Sequence, residues 1–377
     1  MDIRIVNGHI IDPLTSRDHT GTVAIKGNRI IEDIPTSEAE LTLDAEGCYV
    51  FPGLVDFHTH VFEGSLFGIE ALLLTPTGVT SVVDAGSCGC AAFEFMHRNV
   101  MATCRLRIKA FLNVATTGQP GRNVNEDVSP ENYNRKEIAA LVEKYPHDIL
   151  GLKVRISSPI VGALGIAALD GALELAEEFK LPLCVHVTNP PVPMNEVACR
   201  LRPGDIFCHV FQGIGHTILG GNGRVLDAIL DAAQRGVIFD AANGRVNFDF
   251  DVAQKAILQG FFPDVVSSDV TKVTFNRSSV VKSLPFILSK YLNMGVDLPC
   301  LVRATTMEPA RLMHMEGQIG TLKAGALADV AIFKLVERQT KFSDFCGKVL
   351  LGDRLLIPQV TILDGQIAYC ANDFSLD

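Results

Sequence analysis

The stretch Phe51-Pro52-Gly53-Leu54-Val55-Asp56-Phe57-His58-Thr59-His60 decides how this 377-residue chain is read. It is largely apolar up to Phe57, as a buried strand is, and it ends in two histidines spaced i, i+2. Side chains at that spacing share a strand face, so His58 and His60 are expected to point the same way. Further short β-branched runs follow at 79–84, 108–115, 149–156, 183–187, 206–211, 237–241 and 265–269, the first of the series being 50–57. Helical stretches separate them, for example 165–180, 223–236 and 251–260. Eight strand–helix units in about 250 residues, with near-continuously apolar strands, predict an α/β chain built on a closed parallel (β/α)8 TIM-like barrel. An open nucleotide-binding sheet would want G-x-G-x-x-G after a strand, and Gly213-Ile214-Gly215 lacks the third glycine.

The two ends of the chain echo each other. Ile5-Val6-Asn7-Gly8-His9-Ile10 and Ile362-Leu363-Asp364-Gly365-Gln366-Ile367 each hold an apolar pair, an Asn-Gly or Asp-Gly step and a return strand. Such dipeptides favour two-residue hairpin turns, because both central positions need positive φ. Strand patterns at 22–25, 29–34 and 329–333 surround them. Residues 1–52 and 312–377 are therefore expected to form one small β-sandwich domain, and residues 53–311 the catalytic barrel.

Composition narrows the function. Hydrophobic residues make up 47% and charged residues 20%, enough for a large core and without a disorder signature. The net charge of −10, with no basic block, argues against nucleic acid or an anionic membrane as partner. Ten cysteines scattered among apolar stretches read as reduced core thiols. Neither a signal peptide nor an uninterrupted run of about 18 apolar residues is visible. The sequon-like Asn276-Arg277-Ser278 then carries no meaning. A cytoplasmic protein acting on a small-molecule substrate is expected; the outer barrel helices leave room for a homo-oligomer.

Chemistry-bearing residues close most of the later strands. His58 and His60 end the first barrel strand, Lys153 and Arg155 the fourth, His186 the fifth, His209 the sixth and Asp269 the eighth. Barrel active sites lie at the C-terminal strand ends, so these groups are expected around one mouth. Imidazole and carboxylate suit a borderline divalent ion such as zinc. Burial lowers a lysine pKa, and a neutral Lys153 amine can take up carbon dioxide to form a carbamate that bridges two ions. His58, His60 and Asp269 would hold one ion, His186 and His209 the other.

This pattern, with the Pro52-Gly53-Leu54-Val55-Asp56 lead-in and the Gly320-Thr321-Leu322-Lys323-Ala324-Gly325-Ala326-Leu327-Ala328-Asp329 return, resembles the amidohydrolase superfamily with a carboxylated lysine. The stretches 202–213 and 239–244 are most similar to its dihydroorotase-like deacetylase group, from which Ser268 departs mildly, threonine being frequent there. The resemblance covers nearly the whole chain. It implies two zinc ions per chain, N6-carboxylation of Lys153, and hydrolysis of an amide or ester of a small acylated acid. The substrate type is an N-acetyl amino acid or O-acetyl hydroxy acid, attacked by a metal-bridging hydroxide. Asp269 would take the hydroxide's proton and pass it to the leaving group. A cyclic-amide hydrolase of the dihydroorotase kind is the alternative, and a non-catalytic barrel serving as an assembly module a further one.

Arg155, two residues beyond Lys153 on the same face, is the substrate-binding candidate: it can form a bidentate pair with a carboxylate or an ion pair with a rim acid. The polar loops 116–122 and 243–245 are specificity-loop candidates. Cys88-Gly89-Cys90 reads as loop chemistry, 220–223 as a flexible loop, and of the six remaining histidines only His216 is placed where it could approach the pocket.

Overall fold

A computed structural model describes residues 1–121 and 125–376. The chain opens with β1 (Ile3–Asp12), β2 (Arg17–Lys26), β3 (Arg29–Ile31), β4 (Leu41–Asp44) and β5 (Tyr49–Pro52). There follow β6 (Leu54–Thr59), β7 (Val79–Gly89), β8 (Arg107–Asn113), β9 (Ile149–Arg155), β10 (Leu183–His186), β11 (Ile206–Cys208) and β12 (Ile238–Asp240). It closes with β13 (Val330–Ser343), β14 (Val349–Leu363) and β15 (Gln366–Cys370).

β6 to β12 form a curled sheet of seven parallel strands, each paired with its neighbour in sequence. The eighth expected strand is not a strand. Residues 265–270 instead make isolated parallel bridges to both edges, Asp240↔Val265 on β12 and Thr59↔Val270 on β6. The segment is pinned on the β6 side by Asp56, which accepts from the backbone N–H (2.8 Å) and the hydroxyl of Ser268, and by Asp269 N donating to His58 O (2.7 Å). Asp269 has φ 47°, a left-handed backbone that a continuous ladder does not accommodate.

The 50–57 run turns out to be two strands in two sheets. Its first half belongs to β5, and Gly53 marks the crossing: its N–H donates to Asp329 O, and Leu54 N donates to Gly78 O (both 2.9 Å). A Cβ at Gly53 would lie 2.3 Å from Thr80 Oγ1, so the crossing has room only for glycine.

Both termini build one eight-stranded sheet in the order β15-β14-β13-β5-β1-β2-β3, with β4 on β1. Hydrogen bonding runs through it continuously, and Ile5, Ile10, Ile25, Val50, Ile332 and Val360 share its own apolar core. Asp364-Gly365 makes the expected hairpin between β14 and β15. Asn7-Gly8 does not: it lies inside β1 as a bulge, with Asn7 at φ 61°, and the strand carries on to Asp12. Arg107 of β8 ties the two sheets together by pairing with Asp329 and Asp364. Among the described residues, no single helix is long and apolar enough to cross a membrane, and all ten cysteines are free thiols.

Candidate active site

His58, His60, Lys153, His186 and Asp269 line one cavity of about 120 Å³, and His209 lies against it, its ring 4.3 Å from that of His186 and 5.0 Å from that of His58. All six are buried or nearly so. Local backbone strain accompanies the convergence: His209 (φ 66°), Ala242 (φ 35°) and Asp269 (φ 47°) are left-handed non-glycine residues, an arrangement that costs about 1–3 kcal/mol each and clusters at functional sites.

The hydrogen-bond network settles which imidazole nitrogens face the cavity. His58 Nδ1 donates to Asp240 Oδ2 (3.2 Å), and Asp240 is itself held by Ser267 Oγ and the N–H of Ala242. Ser87 Oγ gives its proton to Asp84 (2.7 Å) and so accepts from His60 Nδ1 (2.8 Å). His209 Nδ1 donates to Ala242 O (2.6 Å). With each Nδ1 carrying the proton, three Nε2 lone pairs point at the site. His209 Nε2 is buried without a hydrogen-bond partner, His60 Nε2 confronts Asp269 Oδ1 at 3.3 Å, and His58 Nε2 meets Lys153 Nζ at 3.5 Å.

This donor set fits a divalent cation. Ligand atoms of His58, His60 and Asp269 lie within 4.8 Å of one another. A buried lone pair with no donor, and a lone pair facing a carboxylate, are both costly unless a cation lies between them. Burial pushes His58 and His186 well below the ordinary imidazole pKa and His209 down to about 4, so the rings are neutral, as ligands must be. For Asp269 burial alone would raise the pKa, but its contact with His60 and the nearby Lys153 ammonium outweigh it and leave the carboxylate below its usual range.

Lys153 departs from expectation. The residue is 1% exposed, and burial pulls its pKa down, yet Cys184 (Sγ 3.4 Å from Nζ), Cys208 and Asp269 more than offset this and raise it. Burial by itself therefore does not supply the neutral amine. The two thiols, 3.2 Å apart and belonging with Val55, Phe57, Phe111 and Ile206 to one apolar cluster, form the floor beneath it.

Arg155 lines the cavity as an ion pair. Its Nε donates to Glu126 Oε2 at 2.6 Å, and Glu126 is further fixed by Asn113 Nδ2 (2.9 Å). Of the loop 116–122, Gln119 lines the cavity, whereas Arg122 lies outside the described residues; of 243–245, Arg245 lines it. His216 is exposed and not among the cavity residues, and Cys88 packs on Met96 Sδ at 3.4 Å. Asp240, Ser87, Asp84 and Asn247 support the site without any sequence signal of that role. Asn247 Nδ2 donates to Asp269 Oδ2 (2.8 Å) while its Oδ1 accepts from Thr188 (2.8 Å). Only their contacts identify them; an Asp closing a strand looks the same in sequence as any cap.

No family model matches the chain. It is 30% identical over 331 residues to a deacetylase of Agrobacterium fabrum, covering 86% of this chain and 80% of the relative. It is 26% identical to a deacetylase of Enterococcus faecalis over 97% of this chain and 98% of the other. Among solved structures it is similar to an adenine deaminase (TM-score 0.88, 26% identity, 98% of this chain and 100% of that one) and to a dihydroorotase (TM-score 0.84, 28%, 98% and 99%). With a relative of this similarity spanning most of both chains, and a donor set of neutral imidazoles around a carboxylate, the chain belongs to the amidohydrolase superfamily, with deacetylases among its relatives.

Proposed function

We propose that this chain is a metal-dependent deacylase that hydrolyses the amide or ester bond of a small acylated acid. The observation that carries it is the convergence of His58, His60 and His209 beside one small cavity, each with Nδ1 engaged elsewhere, His60 Nε2 facing Asp269 and His209 Nε2 buried without a partner. His58, His60 and Asp269 would hold one divalent ion and His186 and His209 a second, zinc being suited to such ligands. Lys153, once its deprotonated Nζ has added carbon dioxide, would lie between the two groups as a carboxylate. A divalent ion held there supplies Lewis acidity, polarising a carbonyl oxygen and lowering the pKa of water.

The chain's own residues do the rest. Asp269, fixed by Asn247, is placed to accept a proton from the attacking water and to deliver it to the leaving nitrogen or oxygen. The cavity of about 120 Å³ suits a short acyl group on a small acid. Arg155 contributes hydrogen-bonding capacity as a neutralised pair with Glu126. On this reading residues 265–270 act as the eighth stave of the barrel, residues 53–311 as the catalytic unit, and residues 1–52 with 312–377 as its support. Ten free thiols support a cytoplasmic setting.

The likeness to a dihydroorotase favours one second reading, hydrolysis of a cyclic amide. Turnover of zinc-loaded protein on matched N-acyl acids, O-acyl acids and cyclic amides, with Asp269→Asn as control, separates the two. Acyl-group release lost in the control is the expected result. Ring opening without deacylation moves the assignment to the second reading, and undiminished turnover by the variant removes Asp269 from proton transfer.

A further inference from the structure

Two arginines line the cavity, and the structure treats them differently. Arg155 is spent on Glu126, a carboxylate with a side chain only 4% exposed. Arg245 is exposed, and among the described residues its guanidinium has no hydrogen-bond or ion-pair partner. Its backbone is nonetheless held on both sides. Gly244 N donates to Ser268 O (3.0 Å) just before it, and Asn247 is anchored to Asp269 and Thr188 just after it. Gly244 has φ 52° and packs so closely that a Cβ would fall 2.2 Å from Asp269 Oδ2, so the loop backbone is seated against the reacting end of the cavity. The guanidinium is thus an unpaired fork on a tethered backbone, one residue from the glycine that packs on Asp269. Among the described residues lining the cavity, Asp269 is the only carboxylate, and it faces His60 and Asn247.

An unpaired arginine at the mouth of a small site matches a carboxylate bidentately, and the pairing needs no protein ion pair to be broken first. From this arrangement we infer that Arg245, and not Arg155, receives the carboxylate of the substrate and sets the preference for acids over neutral analogues. The inference rests on the deacylase reading for the rest of the substrate.

The test compares an N-acetyl amino acid with its carboxamide on zinc-loaded wild type, Arg245→Met and Arg245→Lys, together with calorimetric binding of the free amino acid product. The preference of kcat/KM for the acid over the carboxamide should fall about 10- to 100-fold in Arg245→Met, mainly through KM, with Arg245→Lys recovering part of it. Binding of the product acid should weaken by a similar factor. An unchanged acid preference in Arg245→Met, or product binding of equal strength in both proteins, overturns the inference. If the wild type turns over neither compound, the N-acyl form of the deacylase reading fails on its own account. Product binding lost in Arg245→Met would then still support the arginine's role, and binding retained or absent in both would overturn it.

Discussion

Asp240 Oδ2 lies 3.2 Å from Nδ1 of His58, although 182 positions separate the two residues in the chain. Asp240 sets the tautomer of the ring and so turns Nε2 toward the cavity; its own pKa is raised by burial to about 7. Supporting carboxylates of this kind commonly account for 10- to 100-fold in metal affinity. Asp240→Asn should weaken zinc binding by that order, as read by competition against a chromophoric chelator, with the far-ultraviolet spectrum unchanged. Equal affinity in the two proteins would show that His58 is oriented without it.

His209 Nε2, buried and unpartnered, should become the most direct reporter of occupancy. A ligand at a hundredfold excess over its Kd stabilises the folded state by about 2.7 kcal/mol. Zinc loading is therefore expected to raise the melting temperature of the chelator-treated wild type by several degrees. In His209→Ala the rise should be clearly smaller. The same rise in both proteins would place the ion elsewhere.

Lys290 is fully buried, its Nζ 3.7 Å above the Phe248 ring and donating to Val280 O at 3.1 Å. Burial lowers its pKa to about 7, against the pull of Asp344. Between there and the unfolded value near 10.4, the unfolded chain binds a proton that the folded chain does not. Stability should rise with pH across that window, by up to about 1.4 kcal/mol per unit, while below pH 7 the contribution is constant. Lys290→Met should flatten the rise in urea midpoint from pH 7 to 9. Parallel curves for the two proteins would refute the assignment.

At Gly53 the chain leaves one sheet for the other with no room for a side chain. Gly53→Ala would press Cβ onto Thr80 Oγ1 (2.3 Å) and Asp329 Cβ (2.9 Å), and overpacking of this kind typically costs about 1–3 kcal/mol. Thermal unfolding should show that loss, and Thr80→Ala in the same chain should return part of it. Full stability in the single variant would mean that the crossing is looser than drawn.

Much of the site was legible because strand chemistry is local. His58 and His60 share a direction by spacing alone, and Lys153, His186, His209 and Asp269 each follow an apolar run closely enough to be placed at its end. Asp240 offered no such signal, since its role depends on a ring brought to it from β6. Asn7-Gly8 and Asp364-Gly365 carry the same turn chemistry, yet one is a bulge and the other a hairpin. β1 has partners on both sides, β2 against β4 and β5, whose pairing carries the strand straight through, while β15 has only β14 to fold back upon. The break at Gly53 was hidden because strands of both sheets are buried there and look equally apolar.

The sequence by itself determined which residues could be ligands, that His58 and His60 would share a strand face, and that a lysine would stand among the histidines. Those properties follow from side-chain type and the two-residue strand repeat, which need no distant partner. Tertiary structure alone decided that Glu126 neutralises Arg155 while Arg245 stays unpaired, that Cys184 and Cys208 raise rather than lower the Lys153 pKa, and that the eighth segment turns left-handed at Asp269. Each of these depends on which charges and donors are packed within a few ångströms, and Coulomb and hydrogen-bond energies fall off over distances that chain separation does not report.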